Sequence, residues 1–240
     1  ERETVGIDGN FDDWSGKETT NDAIGDTPNE NIDIASSAVT TDKVYMSFLV
    51  ETKEPMFYEE TTVRMLIDSD NNANTGYFYP GMGADHLIEI YGESQGIVSS
   101  SQLYTFDDSK GLATSRASNN DNLIRSDWNG FHSLTTLKAN ATVGDWKNSA
   151  SGGLLEFQVP LFDLGIDAGD GIKFVGTASD GNGNYDSTNI INSATKQEQR
   201  YIDRVTIARQ NANDNRIGAL DGINIDGSFG DWTQNANIKL

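Results

Sequence analysis

The sequence predicts an all-β protein, a two-sheet antiparallel β-sandwich of about ten strands with little helix. Three observations predict it. Short apolar runs alternate with period two, as in "KVYMSFLVE" and "GLLEFQVP". Clusters of Gly, Asn, Asp and Ser separate the runs. No stretch sustains an apolar repeat of period 3.6, the mark of an amphipathic helix.

In chain order, strands are expected first at residues 32–40. In "KVYMSFLVE", Val44, Met46, Phe48 and Val50 face one side and Tyr45, Ser47 and Leu49 the other. "TVRMLID" turns Val63, Met65 and Ile67 inward, and "DHLIEIYG" does the same around Ile88 and Ile90. Strands are expected again at 97–106, 112–117 and 131–143. Asn129-Gly130, between Trp128 and Phe131, is a two-residue hairpin signal. "GLLEFQVP" sets Leu155, Phe157 and Val159 against Leu154, Glu156 and Gln158, and "GIKFVGTAS" and "YIDRVTIAR" complete the set. "PLFDLGI" (160–166) is expected to form one helical turn, and "NSATKQEQR" (192–200) a short polar helix or a loop.

Composition narrows the function. The 240 residues carry a formal charge of −20, which repels nucleic-acid phosphates and anionic membranes and attracts cations. The acidic residues are scattered rather than gathered in a tail. Cysteine is absent, which excludes a disulfide framework, a thiolate metal site and a Cys nucleophile. No apolar run is long enough to span a bilayer, so no membrane span is expected in this segment. The chain opens without Met or a signal peptide and reads as a mature or excised segment of an extracellular or cell-surface protein. Asn140 heads the single N-x-[ST] sequon. With two His and no Cys, no nucleophile–base pair is apparent, and the chain is read as non-enzymatic. Haem is not favoured either: His86 sits in an expected strand, and Met46 and Met65 on core faces.

One motif occurs twice. "GIDGNFDDW" spans Gly6 to Trp14, and "NIDGSFGDW" spans Asn224 to Trp232. The second copy keeps the counterparts of Asp8, Asp13 and Trp14 but has Ser228 for Asn10 and Gly230 for Asp12. The motif is therefore read as structural, with Asp8 capping a turn and Trp14 closing the core, and not as an ion site.

The opening "IDGNFDDW", then "DIASSAVTTDKVYMSFLVET", "VRMLIDSDNNANTGYFYPGMGADHLIEIYG" and "GGLLEFQVPLFDLG" resemble family 9 carbohydrate-binding modules and DOMON-like domains over most of residues 5–180. The resemblance implies a jelly-roll-like sandwich. It leaves function open, because this fold serves sugar-binding modules, haem-binding domains and repeats of surface proteins. The expected organisation is a sandwich over 1–210, a linker over 211–221, and at 222–240 the start of a second repeat or a strand that docks on a neighbouring subunit. Ile223, Ile225, Phe229 and Trp232 would carry that assembly contact.

Two loops have oxygens at alternate positions, the spacing with which a loop wraps calcium. In "DSDNNANTG" these are Asp68, Asp70, Asn72 and Asn74. The bidentate Glu that closes an EF-hand is missing, and the resemblance implies Asp85 as the further ligand. In "DGNGNYD" they are Asp180, Asn182, Asn184 and Asp186. Aromatic platforms for a polysaccharide are sought among Trp128, Trp146, Tyr77, Phe78 and Tyr79. The preferred reading is a non-catalytic, calcium-binding repeat of a surface or filament-forming structural or adhesive protein, whose partners are copies of itself. The alternative is a carbohydrate-binding module attached to a larger secreted enzyme.

Overall fold

The computed structural model describes residues 5–107, 130–141, 152–167 and 170–194, all within one compact unit, Glu1–Lys196. The expected strands at 112–117 and 201–209, together with Trp128, Asn129, Trp146, the linker and the second copy of the repeated motif, lie outside the described residues.

The described chain is an all-β sandwich with fourteen strands, more than the expected ten. The extra strands are short segments that lack a period-two pattern of their own. In order they are β1 (Thr19–Asn21), β2 (Ile34–Thr41), β3 (Tyr45–Thr52), β4 (Thr61–Asp68), β5 (Tyr77–Tyr79), β6 (Met82–Ala84), β7 (His86–Gly92), β8 (Ser100–Phe106), β9 (Phe131–Thr136), β10 (Lys138–Ala141), β11 (Gly153–Pro160), β12 (Gly171–Asp180), β13 (Tyr185–Ser187) and β14 (Ile191–Ala194). One sheet runs β1-β2-β3-β11-β10, and the other β13-β12-β4-β7-β8-β9, with β14 also on β12. β5 and β6 form a separate hairpin, and every pairing is antiparallel.

Period two builds the core. Met46, Phe48 and Val50 of β3 and Leu155, Phe157 and Val159 of β11 face Val63, Met65 and Ile67 of β4, Ile88 and Ile90 of β7, and Phe174 of β12. Phe48 stacks on Phe157 at 5.2 Å in its own sheet and meets Phe174 of the other sheet edge-on at 5.4 Å. Such ring contacts add about 0.5–1.5 kcal/mol to the burial itself.

Several expected elements differ in detail. Val44 is not in the inward row; it lies in the turn before β3, 54% exposed. The described part of the expected strand 131–143 is two strands in different sheets, with the crossing at Leu137. Phe131 pairs with Phe106 in β8, and the expected hairpin turn at Asn129-Gly130 falls partly outside the described residues. "PLFDLGI" forms successive turns, with bonds such as Asp163 N–H to Pro160 O at 3.0 Å, because Leu161, Leu164 and Ile166 are drawn into the open end of the core. Ile191–Ala194 is strand where a helix or loop was expected, since β12 offers it an edge.

Both outer faces carry apolar cover. On the β4–β7–β12 side, Leu66, Leu87 and Val175 lie under the β5–β6 hairpin with Tyr77, Met82 and Phe131. On the β2–β3–β11 side, Ala38 and Leu49 lie under Val5, Ile7 and Trp14 of the repeated motif. Trp14 therefore seals an outer face rather than the core between the sheets.

Candidate metal centre

β4 ends at Asp68, a carboxylate at the apolar rim that is 0% exposed. By strand alternation it follows Leu66 on the outer face, where the loop 69–76 and the β5–β6 hairpin fold over it. Its Oδ1 accepts the Asn72 N–H at 3.1 Å and its Oδ2 the Gly83 N–H at 3.4 Å. Asp70 takes the Asn72 N–H on Oδ1 at 2.8 Å and the Thr75 hydroxyl on Oδ2 at 2.8 Å. Asp85, just before β7, takes the Ser69 N–H at 2.8 Å, the Ser69 hydroxyl at 2.9 Å and the Asp70 N–H at 3.2 Å, all on Oδ2.

Each of Asp68, Asp70 and Asp85 offers an oxygen within 4.8 Å of the other two. Two sequence features force this approach. Asn71 adopts a positive φ of 58° and Gly76 one of 68°, which tightens the loop. Gly83 runs against the loop so closely that a Cβ there would meet Asn72 O at 2.8 Å and Thr75 O closer still.

The electrostatics match a cation site. Burial pushes the Asp68 carboxyl above its ordinary range, and the charge of Asp70 adds to it, while Lys173 opposes. Burial and then hydrogen bonding compete at Asp85; burial wins, again with help from Asp70. Bringing three carboxylates together in a partly dry site disfavours their charged form unless a cation joins them. Hard oxygens at the end of one strand, in a loop and at the start of another suit calcium. Asn72 and Asn74 are placed differently from the carboxylates: Asn72 Oδ1 accepts the Asn74 N–H at 3.1 Å, an Asx turn that shapes the loop.

The second expected loop does not form one ligand set. Asp180 is engaged by its own turn and by Asn29: Oδ1 accepts the Asn182 and Asn184 N–H groups at 2.9 Å each, and Oδ2 the Asn29 and Asn184 amides at 2.9 and 2.8 Å. Burial pushes its carboxyl up, but these bonds outweigh it and hold it below the ordinary range. Asp186, in β13, turns away to Ile34 N–H at 2.6 Å and groups instead with Asp26 and Asp33. The β12–β13 turn leaves Asp180 on its own loop amides and Asp186 on the Ile34 N–H.

The sugar platforms are also revised. Tyr77 is 2% exposed, packed on Phe131 at 5.2 Å and on Phe106 at 6.0 Å. Tyr79 packs, partly buried, on the same cluster. Tyr77 presents no free ring face of the kind a sugar stacks on. His86 is 7% exposed; burial holds its imidazole down at about 4, despite a bond with the Asp163 backbone.

Glu156 was not singled out in the sequence and organises the repeated motif. Fully buried, it accepts the Asp8 and Gly9 N–H groups on Oε1 at 2.8 and 2.7 Å and the Trp14 indole N–H on Oε2 at 3.0 Å. Asp8 caps the Asn10 N–H at 2.9 Å, as expected of a turn residue. Asp13 accepts the Gly6 N–H at 2.6 Å, and Asn140 donates to Ile7 O at 3.0 Å. The signal was faint: one acidic residue in the outward row of β11, between Leu154 and Gln158.

No protein-family model matches the chain. No curated protein is significantly similar to it.

Proposed function

We propose that this chain is a non-catalytic, calcium-binding β-sandwich repeat of an extracellular or cell-surface structural or adhesive protein, of the type of family 9 carbohydrate-binding modules and DOMON-like domains. The observation that carries the reading is the approach of Asp68, Asp70 and Asp85 within 4.8 Å across a loop with too little room at Gly83 for any side chain. Calcium would take oxygens from these three carboxylates and tie β4, the loop and β7 together. The acidic sequence, rich in Asn, Ser, Thr and Gly, suits an extracellular setting with abundant calcium.

The repeated motif supports the assembly half of the reading. In the first copy, Ile7, Phe11, Trp14 and the backbone of Asp8 and Gly9 make the docking contacts. The second copy repeats these residues as Ile225, Phe229, Trp232, Asp226 and Gly227. A segment with that sequence is suited to a face like the one around Leu49 and Glu156, in a following module or in another copy of the chain.

Terbium, a luminescent stand-in for calcium, tests the site. Tyr77 opens the strand that follows the loop and would sensitise the ion. Tyrosine-sensitised emission that is displaced by calcium and lost in Asp70→Asn is expected. Emission unaffected by Asp70→Asn would refute the assignment.

A further inference from the structure

The outer face that carries Ala38, Leu49, Leu154 and Glu156 is covered by residues 5–14 of the same chain. The groups it recognises in them are few. Glu156 accepts two backbone N–H groups, those of Asp8 and Gly9, and one side-chain donor, the Trp14 indole. Asn140 donates to a backbone carbonyl, that of Ile7. Val5, Ile7 and Trp14 are buried in the apolar contact, with Phe11 half-buried beside them.

The second copy of the motif keeps these groups position by position. Ile225, Phe229, Asp231 and Trp232 repeat Ile7, Phe11, Asp13 and Trp14, and Ile223 stands for Val5, so every apolar contact position stays apolar. Gly227 repeats Gly9, whose φ of 86° favours glycine. The differences fall where the face makes no demand. Asn10 and Asp12, the counterparts of Ser228 and Gly230, are exposed. A Cβ at Gly6, the counterpart of Asn224, would meet the Asp8 and Asp13 carboxylates at ordinary distances of 3.5 and 3.6 Å. The likeness stops beyond Trp232: Gly16, with a φ of 77°, has Gln234 as its counterpart. What the two copies share is the contact set, and what differs is the solvent side.

The hold on residues 5–14 is of a kind that can be exchanged. They add no strand to either sheet, so their release breaks no ladder. An uncovered face would expose Ala38, Leu49 and Leu154 together, an apolar patch that another segment of the same sequence can cover. We propose, on the footing of the assembly half of the proposed function, that this face is a docking site for residues 223–232 of a second copy of the chain, and that residues 5–14 are the competing occupant that keeps it closed. The incoming segment and the receiving face are different surfaces of each copy, so the contact is heterologous and can propagate from copy to copy. Residues 5–14 are tethered beside the face and meet it at high effective concentration, so the face opens to a second copy only to the extent that they leave it.

Sedimentation velocity of the full chain tests this with two tryptophan variants whose effects are opposite. Trp14→Ala weakens the resident occupant and should tighten self-association by about tenfold or more, because a larger fraction of faces is open. Trp232→Ala weakens the incoming segment and should abolish self-association, alone or combined with Trp14→Ala. Phe11→Ala, a milder loosening of the occupant, should shift association in the same direction as Trp14→Ala. On the wild-type chain, a labelled peptide of residues 222–234 should bind and be displaced by a peptide of residues 4–16. If Trp14→Ala or Phe11→Ala folds and associates no more than wild type, the exchange is refuted; should Trp232→Ala still abolish association, assembly through the terminal segments stands without it. Association that Trp232→Ala leaves unchanged refutes both. A 222–234 peptide that does not bind, or that the 4–16 peptide does not displace, refutes the docking site.

Discussion

Replacing Glu156 by Ala removes the one acceptor shared by three N–H groups of the repeated motif. Residues 5–11 form no strand, so little ladder bonding compensates. Hydrogen bonds to a charged group are worth about 1.5–3 kcal/mol each, but the segment can detach and rehydrate, which caps the loss near about 3 kcal/mol. Glu156→Gln keeps an oxygen for the Asp8 and Gly9 amides and turns its own NH₂ toward the Trp14 indole, so its cost should be smaller, about 1–2 kcal/mol. Urea unfolding reads the totals. Amide hydrogen exchange reads the mechanism: Asp8 and Gly9 should lose protection in Glu156→Ala while the β3 and β11 amides keep most of theirs. Wild-type exchange at Asp8 and Gly9 in that variant would refute the assignment of Glu156 as the anchor.

Gly83→Ala should destabilise by about 3 kcal/mol and weaken calcium binding, because the new Cβ meets two loop carbonyls; denaturant melts and calcium titration of one sample check both. The pH profile in EDTA should bend in two places. Burial raises Asp186 to about 6, so the stability tied to its protonated form is complete below the ordinary carboxylate range and lost as pH rises through about 6. His86, lowered from 6.5 to about 4, acts oppositely, and its contribution is lost as pH falls from about 6.5 toward 4. Asp186→Asn should flatten the decline between the ordinary carboxylate range and about pH 6 whatever it does to overall stability, and an unchanged slope would contradict the shift. Deleting residues 211–240 should leave a cooperatively folding domain that no longer self-associates in sedimentation velocity; unfolding of the truncated chain would place that segment in its own core.

What could be read in the sequence was whatever is local along a strand or a loop. The alternation of Met46, Phe48 and Val50 against Ser47 and Leu49 marks a strand between two environments, and the structure buries the first three between the sheets. Asp68 closes β4 and Asp70 lies in the loop after it, so their alternate spacing was legible locally, whereas Asp85 was implied only by the family resemblance. Contacts that cover an outer face were not legible. Leu49 and Glu156 alternate outward and predict solvent; only the distant segment at 5–14 makes that face a buried one. Tyr77 looked like an exposed ring because nothing local shows that Phe106 and Phe131 lie against it. The grouping of Asp186 with Asp26 and Asp33 joins positions far apart in the chain, through the adjacency of β2 and β13 at one end of the sandwich. The alternate spacing at Asp180–Asp186 drew attention to the nearer partners instead.

The central claim is that calcium holds this fold together through the cluster of Asp68, Asp70 and Asp85. Thermal unfolding of the full chain, in EDTA and in millimolar calcium, tests it most directly. Extracellular calcium modules bind the ion at about 10⁻⁴–10⁻³ M. Free calcium at about 100 times the dissociation constant then stabilises by about 2.7 kcal/mol per site. The account predicts a melting temperature that rises with calcium, falls back on chelation, and rises less in Asp70→Asn. A melting temperature indifferent to both EDTA and calcium would contradict it.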